Sequence, residues 1–235
     1  KSGDAYTRLE RSASGKGGAD LVSYDAATNQ RTVLLSAEKL IPTGATAPLP
    51  INGYDWSADN TKMLIYTNSK KVWRINTRGD YWVLDLASGS LKELGGSAQP
   101  STLMFAKFSP DGTRVGYVRE NNIYVENLAD GKITPVTTDG GKNLINGTSD
   151  WVNEEEFDLR DCWRWSPDGK SIAFWQFDAS GIKDFLLLNN TTGLYPTLTK
   201  IPYPKTGTQN AAVRVGVISA DGGEPRWMQT PGDPR

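Results

Sequence analysis

The chain has 235 residues, of which 37% are hydrophobic and 10% aromatic, so it is long enough to bury a core. Its formal net charge is −1 and no run is rich in Lys or Arg, which argues against nucleic acid as a partner. No window approaches the ~18 consecutive apolar residues of a membrane span.

The N-terminal residues, KSGDAYTRLE, include neither an initiator Met nor the apolar core of a signal peptide. We therefore expect the sequence to be an internal segment of a longer chain, with any targeting information missing from it.

A two-strand pattern recurs from Leu21 onward. The first copy is LVSYDAATNQRTVLL, and further copies begin at Tyr81, Ile123 and Val215. Each has a β-rich run, an Asp or Asn, a short turn of small residues, and a second β-rich run. This pattern predicts an antiparallel hairpin at each position.

A second repeat occurs before the hairpins that begin at Tyr81, Ile123 and Val215. Its copies are WSADNTKMLIYT from Trp56, FSPDGTRVGYVR from Phe108 and WSPDGKSIAFWQ from Trp165. Pro presets φ, Asp accepts backbone hydrogen bonds and Gly adopts positive φ, so these are predicted to be structural turns without catalytic chemistry.

The repeats together predict an all-β fold of the β-propeller class. The turn serines fall at positions 57, 109 and 166, a spacing near the ~40 to 50 residues of a four-stranded blade. We interpret residues 1–235 as one segment with the end of one blade, two full blades, and a fourth blade interrupted between about Phe177 and Val213. Four blades could close alone, but part of a larger, eight-bladed propeller is expected.

The composition excludes several kinds of site. The chain has no histidine, so a Ser-His-Asp unit or a His-ligated zinc or haem site cannot be assembled from it. Its glycine-rich stretches lack the ending of a phosphate loop. The single cysteine, Cys162, is followed closely by Trp163 and Trp165 and is expected to be a buried core thiol. No cofactor or metal is predicted.

Three consecutive carboxylates, Glu154, Glu155 and Glu156, lie between Trp151 and Phe157. A charge run of this kind is commonly just a solvated face. Adjacent carboxylates held between aromatic residues repel each other, however, which raises one pKa unless a cation lies between them. The cluster is therefore either an exposed acidic turn or a site for a cation.

These residues resemble a known family. The stretch DWVNEEEF from Asp150, followed by WSPDGKSIAFWQFD and by YPTLTKIPYPKTGTQNAAVRVGV from Tyr195, is similar to the N-terminal β-propeller of the dipeptidyl peptidase IV family of serine peptidases. KKVWRINTRGDYWVLDL from Lys70 resembles the family segment that carries a substrate-binding arginine. The resemblance extends from about Ile51 to Gly223, whereas the first fifty residues match only in general blade character.

The resemblance implies specific roles. Glu155 and Glu156 would hold the free α-ammonium of a peptide substrate, and Arg74 would bind a backbone carbonyl or carboxylate of the same peptide. Glu154 would have a structural role. The family often has a tyrosine before the three acids, where this chain has Asn153, which puts the fine positioning in question.

The resemblance also implies partners for this segment. A C-terminal α/β-hydrolase domain of the parent chain would supply Ser, Asp and His, so this segment alone would be inactive. The parent would release Xaa-Pro or Xaa-Ala dipeptides from peptides with a free N-terminus. The resemblance also favours a periplasmic or secreted location for the parent protein and a possible homodimer.

Two other functions fit the same residues. A non-catalytic propeller that binds protein or peptide partners would leave the acids merely exposed. A related aminopeptidase that releases tripeptides would keep the chemistry but place the acids at a different distance from the catalytic serine.

Overall fold

The computed structural model describes residues 3–234, and strands are its main regular elements. Within that range the chain also forms a 3₁₀ helix at Ala37–Leu40 and an α-helix, α1, at Trp151–Phe157. The paired strands are antiparallel, which confirms the predicted all-β class. Neither helix in the described residues has the length and apolar character needed to cross a membrane.

The first three sheets are simple antiparallel meanders. The first consists of β1 (Ala5–Arg11), β2 (Ala19–Asp25) and β3 (Arg31–Leu35), paired in that order. The second consists of β4 (Gly53–Trp56), β5 (Lys62–Lys71), β6 (Asn76–Asp85) and β7 (Leu91–Glu93), again in sequence order. The third consists of β8 (Met104–Phe108), β9 (Arg114–Arg119), β10 (Asn122–Asn127) and β11 (Ile133–Pro135), with each strand next to its sequence neighbour. Four-stranded meanders of this kind are the blades of β-propellers.

The fourth sheet is interrupted twice. Its strands are β12 (Leu144–Asn146), β13 (Trp163–Trp165) and β14 (Ser171–Asp178), followed after a separate two-stranded hairpin, β15 (Asp184–Asn189) and β16 (Thr197–Pro202), by β17 (Ala212–Ser219) and β18 (Arg226–Trp227). The hairpin confirms the insertion predicted between Phe177 and Val213. The strand pairs β2-β3, β6-β7, β10-β11 and β17-β18 confirm the four predicted hairpins. The number of blades in the parent propeller stays a prediction.

The chain divides into two compact units, each with its own core. One unit covers residues up to Lys70 together with Asn76–Thr102, and the other covers Lys71–Ile75 and the residues from Leu103 onward. The first unit buries an aliphatic cluster of Leu21, Leu35, Leu40, Met63, Ile65 and Leu84. The second buries two clusters, the larger of which is built around Trp163 and Phe174.

The Ser-led turns have the same hydrogen bonds in each repeat. The hydroxyls of Ser57, Ser109 and Ser166 donate to the aspartate two positions later, at 2.6, 2.5 and 2.6 Å. Each hydroxyl oxygen also accepts the N–H group five positions later, at 2.9, 3.0 and 2.9 Å. The last turn residue has positive φ in every copy, and Asn60 takes this role in the first with a φ of 55°. These bonds confirm the structural interpretation of the repeats.

Protonation of Asp59 is expected to weaken the first of these turns. Hydrogen bonds from the Ser57 hydroxyl and from Thr61 lower the pKa of Asp59 from 3.8 to about 2. A carboxylate with a depressed pKa stabilises the folded state above its unfolded pKa, and this contribution disappears as the pH falls from about 4 towards 2. Asp59→Asn should therefore reduce the drop in melting temperature between these pH values, as followed by circular dichroism. An equal drop in the variant and the wild type would contradict this.

Cys162 lies in the core, as predicted. Its side chain belongs to the smaller cluster of the second unit and the residue is 5% exposed. Burial raises the pKa of the thiol to about 12. Because the thiolate is the reactive form of cysteine, Cys162 is a structural residue at neutral pH.

Candidate functional site

The three glutamates lie on α1, which is inserted at the edge of the fourth sheet. Both β12 and β13 pair with the same edge of β14, where Asn146 lies opposite Gln176 and Trp163 lies opposite Phe174. The chain leaves this edge after Asn146 and returns to it at Trp163. The helix therefore lies between two short strands that pair with the same edge of β14, and the sheet remains continuous.

The base of this insertion is closed by hydrogen bonds. The N–H group of Cys162 donates to the Gly147 carbonyl at 3.0 Å. One step further out, the Ser149 hydroxyl donates to the carbonyl of Leu159. Gly147 has a φ of 75° and an added Cβ would lie 2.8 Å from Ile123, so glycine is required at the first corner. We refer to the two segments joined by these bonds, 147–149 and 159–162, as the closed neck of the insertion, and this neck holds the helix.

A side-chain cap begins α1, and a left-handed backbone residue ends it. The Asp150 carboxylate accepts the backbone N–H of Asn153 at 3.3 Å, which is the usual bond of an N-cap aspartate. The side-chain amide of Asn153 donates to the same oxygen at 2.6 Å. Asp158 ends the helix in the left-handed conformation, with a φ of 57°. Asn153, which departs from the family pattern, therefore reinforces the start of the helix.

Glu154 is buried and engaged by the protein. Its residue is 2% exposed, and one carboxylate oxygen lies 3.6 Å from the Nε atom of Arg160. Arg160 also donates to the Glu154 carbonyl at 3.2 Å and forms an ion pair with Asp158. The arginine was not predicted from the sequence, although a basic residue shortly after a helix end is a recognisable partner for the last carbonyls of that helix.

Glu155 is also buried, but only half of its carboxylate is engaged. Its side chain is 3% exposed, and its Oε2 atom forms an ion pair with the Nε atom of Arg74. The other oxygen, Oε1, is buried and accepts no hydrogen bond from any residue in the described range. A buried carboxylate oxygen without a partner is costly, so this atom is a candidate hydrogen-bond acceptor.

Arg74 lies in the turn between β5 and β6. The N–H group of Val72 donates to the carbonyl of Ile75 at 3.1 Å and closes this turn. The Arg74 side chain is 73% exposed, so most of it remains accessible to a second partner. The structure thus brings two of the three predicted site residues into contact.

Glu156 lies on a different face of the helix from Glu155 and is exposed. Successive helical residues do not face each other, because each is rotated by about 100° from the last. Glu156 therefore presents its carboxylate from the solvent side, whereas Glu155 presents its carboxylate from a buried position. Joint binding of one ligand by both acids stays a prediction.

The returning end of the insertion is fixed by a second ion-pair cluster that the sequence did not predict. The Asp161 carboxylate accepts a hydrogen bond from Lys107 Nζ at 2.5 Å and forms an ion pair with Arg164 Nη1 at 3.0 Å. Burial lowers the pKa of Lys107 to about 8, although Asp161 opposes this shift. Lys107 also lies over the Trp163 ring, 4.2 Å from its centroid. These contacts anchor the strand that follows α1.

An aromatic row adjoins the first turn of α1. The Trp151 and Tyr203 rings have their centroids 4.6 Å apart, and the Tyr203 and Phe185 rings have theirs 5.7 Å apart. Phe185 and Tyr203 come from the inserted hairpin region, so nothing in the local sequence around Trp151 indicates the contact. We refer to Trp151, Tyr203 and Phe185 as the aromatic row.

The arrangement is suited to a cationic or N–H-bearing ligand. No group of His, Cys, Asp and Glu side chains within residues 3–234 has the arrangement of a metal site. The buried Glu155 oxygen, the exposed Glu156 carboxylate and the accessible part of Arg74 offer two acceptors and one donor. Such a set can bind the charged end of a peptide together with one of its carbonyl groups.

Comparison with known proteins gives a consistent match. A sequence profile described as the Dipeptidyl peptidase IV (DPP IV) N-terminal region matches residues 57–235. Dipeptidyl aminopeptidase B of Saccharomyces cerevisiae is 36% identical over 206 residues, which cover 85% of this chain and 24% of that protein. Dipeptidyl-aminopeptidase B of Aspergillus niger is 29% identical over 98% of this chain and 26% of its own length. The chain thus spans about a quarter of the length of these relatives.

Solved structures agree with the sequence matches. The crystal structure of Porphyromonas gingivalis dipeptidyl peptidase 4 superposes with a TM-score of 0.85 at 27% identity, over 98% of this chain and 32% of that chain. A putative dipeptidyl aminopeptidase IV from Bacteroides ovatus, at 19% identity and a TM-score of 0.63, shares the fold.

Proposed function

The chain belongs to the dipeptidyl peptidase IV family, and on that premise we propose that it gates substrate access and binds substrate N-termini in a serine exopeptidase. The parent enzyme would release Xaa-Pro or Xaa-Ala dipeptides. The observation that carries this proposal is the buried, unpartnered Oε1 atom of Glu155 beside the Arg74 ion pair.

A peptide α-ammonium group fits this site chemically. Its pKa of about 8 keeps it mostly charged at neutral pH. It has several N–H donors, one of which would bind Glu155 Oε1 while another binds Glu156. Each charge-assisted hydrogen bond of this kind contributes about 1.5–3 kcal/mol. The exposed part of Arg74 would bind a carbonyl or carboxylate group further along the same peptide.

Catalysis itself would come from the rest of the parent chain. Without histidine, this segment cannot assemble a Ser-His-Asp unit, so a C-terminal α/β-hydrolase domain would supply it. An extended peptide spans about 3.3–3.6 Å per residue. The distance from the glutamates to the catalytic serine would therefore determine how many residues are removed per cut.

The products of the full-length parent test this proposal. We expect mass spectrometry to detect release of the first two residues from a peptide with Pro at its second position, and no release from a matched peptide with Pro only at its fourth. Release of three residues would instead support the tripeptide-releasing alternative. If no peptide is cleaved, the non-catalytic scaffold becomes the better account.

A homodimer of the parent is part of the proposal. The inserted hairpin carries exposed apolar side chains of the kind found at protein interfaces, namely Leu186, Leu187, Leu188 and Leu198. The molar mass of the full-length protein in solution tests this.

A further inference from the structure

The two ends of α1 are held in different ways. At its start, the Asp150 carboxylate caps the backbone and Trp151 packs against Tyr203 of the aromatic row. The sequence of the helix, WVNEEEF, has no basic residue, and the carbonyl groups of its last turn have no following turn to bind. A helix of seven residues is too short to be stable alone, so the groups that bind this end determine where its side chains point.

Arg160 binds the C-terminal end of α1 through three contacts. Its Nη2 atom donates to the Glu154 carbonyl at 3.2 Å, and its Nε atom lies 3.6 Å from a Glu154 carboxylate oxygen. Its Nη1 atom forms an ion pair with Asp158, the residue that ends the helix. A planar guanidinium group can hold several acceptors at once in a fixed arrangement. The Arg160 side chain is only 17% exposed, so these contacts are partly shielded from water.

The contact with the carbonyl group acts on the backbone of Glu155. This carbonyl belongs to the planar peptide unit that joins Glu154 to Glu155, so fixing it constrains the direction in which the Glu155 side chain leaves the backbone. Arg74, the ion-pair partner of Glu155, has a side chain that is 73% exposed and contacts only the carboxylate end of this acid. Of these two arginines, Arg160 is therefore the one whose contacts constrain the helix backbone.

The charges of the helix give Arg160 a second effect. Adjacent carboxylates repel one another, and the dipole of a helix disfavours acids near its C-terminal end. The hydrogen bond to Asp158 raises the pKa of Arg160, and the charges of Glu154 and Glu155 add to this shift although desolvation opposes it. Arg160 thus offsets the repulsion among the acids of α1 while it holds the end of the helix.

Resting on the proposed function, we propose that Arg160 is a positioning residue for the ammonium site and holds Glu155 in its binding orientation. Arg160 does not contact the substrate but acts through the peptide unit before Glu155. Without its guanidinium group the end of α1 can move, and the buried oxygen of Glu155 then meets the α-ammonium group at a poorer distance and angle. The loss appears as weaker substrate binding, because this contact is made alike in the bound substrate and in the transition state.

Kinetics of the full-length parent on a Gly-Pro chromogenic amide test this role. Arg160→Ala should raise KM about tenfold and leave kcat nearly unchanged. Arg160→Lys retains the charge but not the planar fork, so its KM should lie between those of the wild type and Arg160→Ala. Arg226→Ala removes an exposed arginine from β18 of the same unit and should leave both constants unchanged. A wild-type KM in Arg160→Ala would overturn the proposal.

The same substitution in a Glu155→Ala background separates positioning from a general loss of stability. Because Arg160 acts through Glu155, adding Arg160→Ala to Glu155→Ala should lower kcat/KM by less than about twofold further. A further loss as large as that seen in the wild-type background would mean that Arg160 acts independently of Glu155, and would overturn its role. A lower kcat with an unchanged KM, as expected of a merely less stable enzyme, would do the same. If Arg160→Ala does not fold, Arg160→Lys takes its place in this comparison.

Glu155→Ala alone distinguishes this inference from the proposed function. If that variant has wild-type kinetics, or if the wild type does not cleave the amide, the proposed function fails and the role of Arg160 fails with it. If Glu155→Ala is impaired whereas Arg160→Ala is not, only the role of Arg160 fails.

Discussion

Replacing Glu155 by alanine in the full-length parent should lower kcat/KM for a Gly-Pro amide by about a hundredfold or more. The substitution removes a buried acceptor whose Oε1 atom has no partner within the described residues and whose Oε2 atom orients Arg74. The loss should fall on every substrate with a free amino terminus, because each would use the same ammonium group.

An acetylated substrate provides the matched control. Acetylation removes the positive charge, so wild-type cleavage should fall sharply and Glu155→Ala should then cause little further loss. Glu156→Ala should also lower kcat/KM for the free amine by about a hundredfold. Arg74→Ala should have a smaller effect, because its partner in longer peptides is a neutral carbonyl. Wild-type kinetics in both glutamate variants would contradict the binding of the ammonium at this site.

Replacing Trp163 by alanine should lower the free energy of unfolding by about 3–5 kcal/mol. The side chain is 1% exposed and belongs to the larger core cluster of its unit. Its ring lies directly over Gly116, where an added Cβ would be 2.6 Å away, and it contacts Trp165 edge to face. The cavity left behind is therefore large, and the loss is comparable with the whole stability of a marginal domain.

Trp163→Phe is the matched control, because it retains an aromatic ring at this position while Trp163→Ala removes the ring altogether. Within the described residues the Trp163 Nε1 atom is buried and donates no hydrogen bond, so phenylalanine removes an unsatisfied polar group while retaining an aromatic ring. Urea unfolding should show a much smaller loss for this variant than for alanine, with similar m-values in both. Equal losses would mean that ring packing is not what Trp163 contributes.

Local turn chemistry made much of the fold predictable. A serine and an aspartate two positions apart, followed by Gly or Asn, are sufficient for the hydrogen-bonded turns at Ser57, Ser109 and Ser166. The gap between Phe177 and Val213 was too long for a turn, and the structure fills it with the β15-β16 hairpin. These features depend on neighbours in the sequence, which is why the sequence alone indicates them.

The site was less predictable, because its differences arise from contacts between distant residues. Glu154, Glu155 and Glu156 are identical in type and adjacent, so no periodicity indicates which of them is buried. Their burial depends on the orientation of α1, which is fixed by its closed neck and by Arg160. The contact between Trp151 and Tyr203 joins two segments that are far apart in the sequence.

The way in which α1 is inserted has a consequence for evolution. Because the chain leaves and rejoins one edge of β14 at paired positions, a change in the length of residues 148–161 leaves the hydrogen bonds of the sheet intact. Each residue added to or removed from a helix moves the following side chains by about 1.5 Å and rotates them by about 100°. A lineage can therefore reposition the three glutamates of α1 by insertions and deletions in one short segment, while the residues of the core are inherited unchanged.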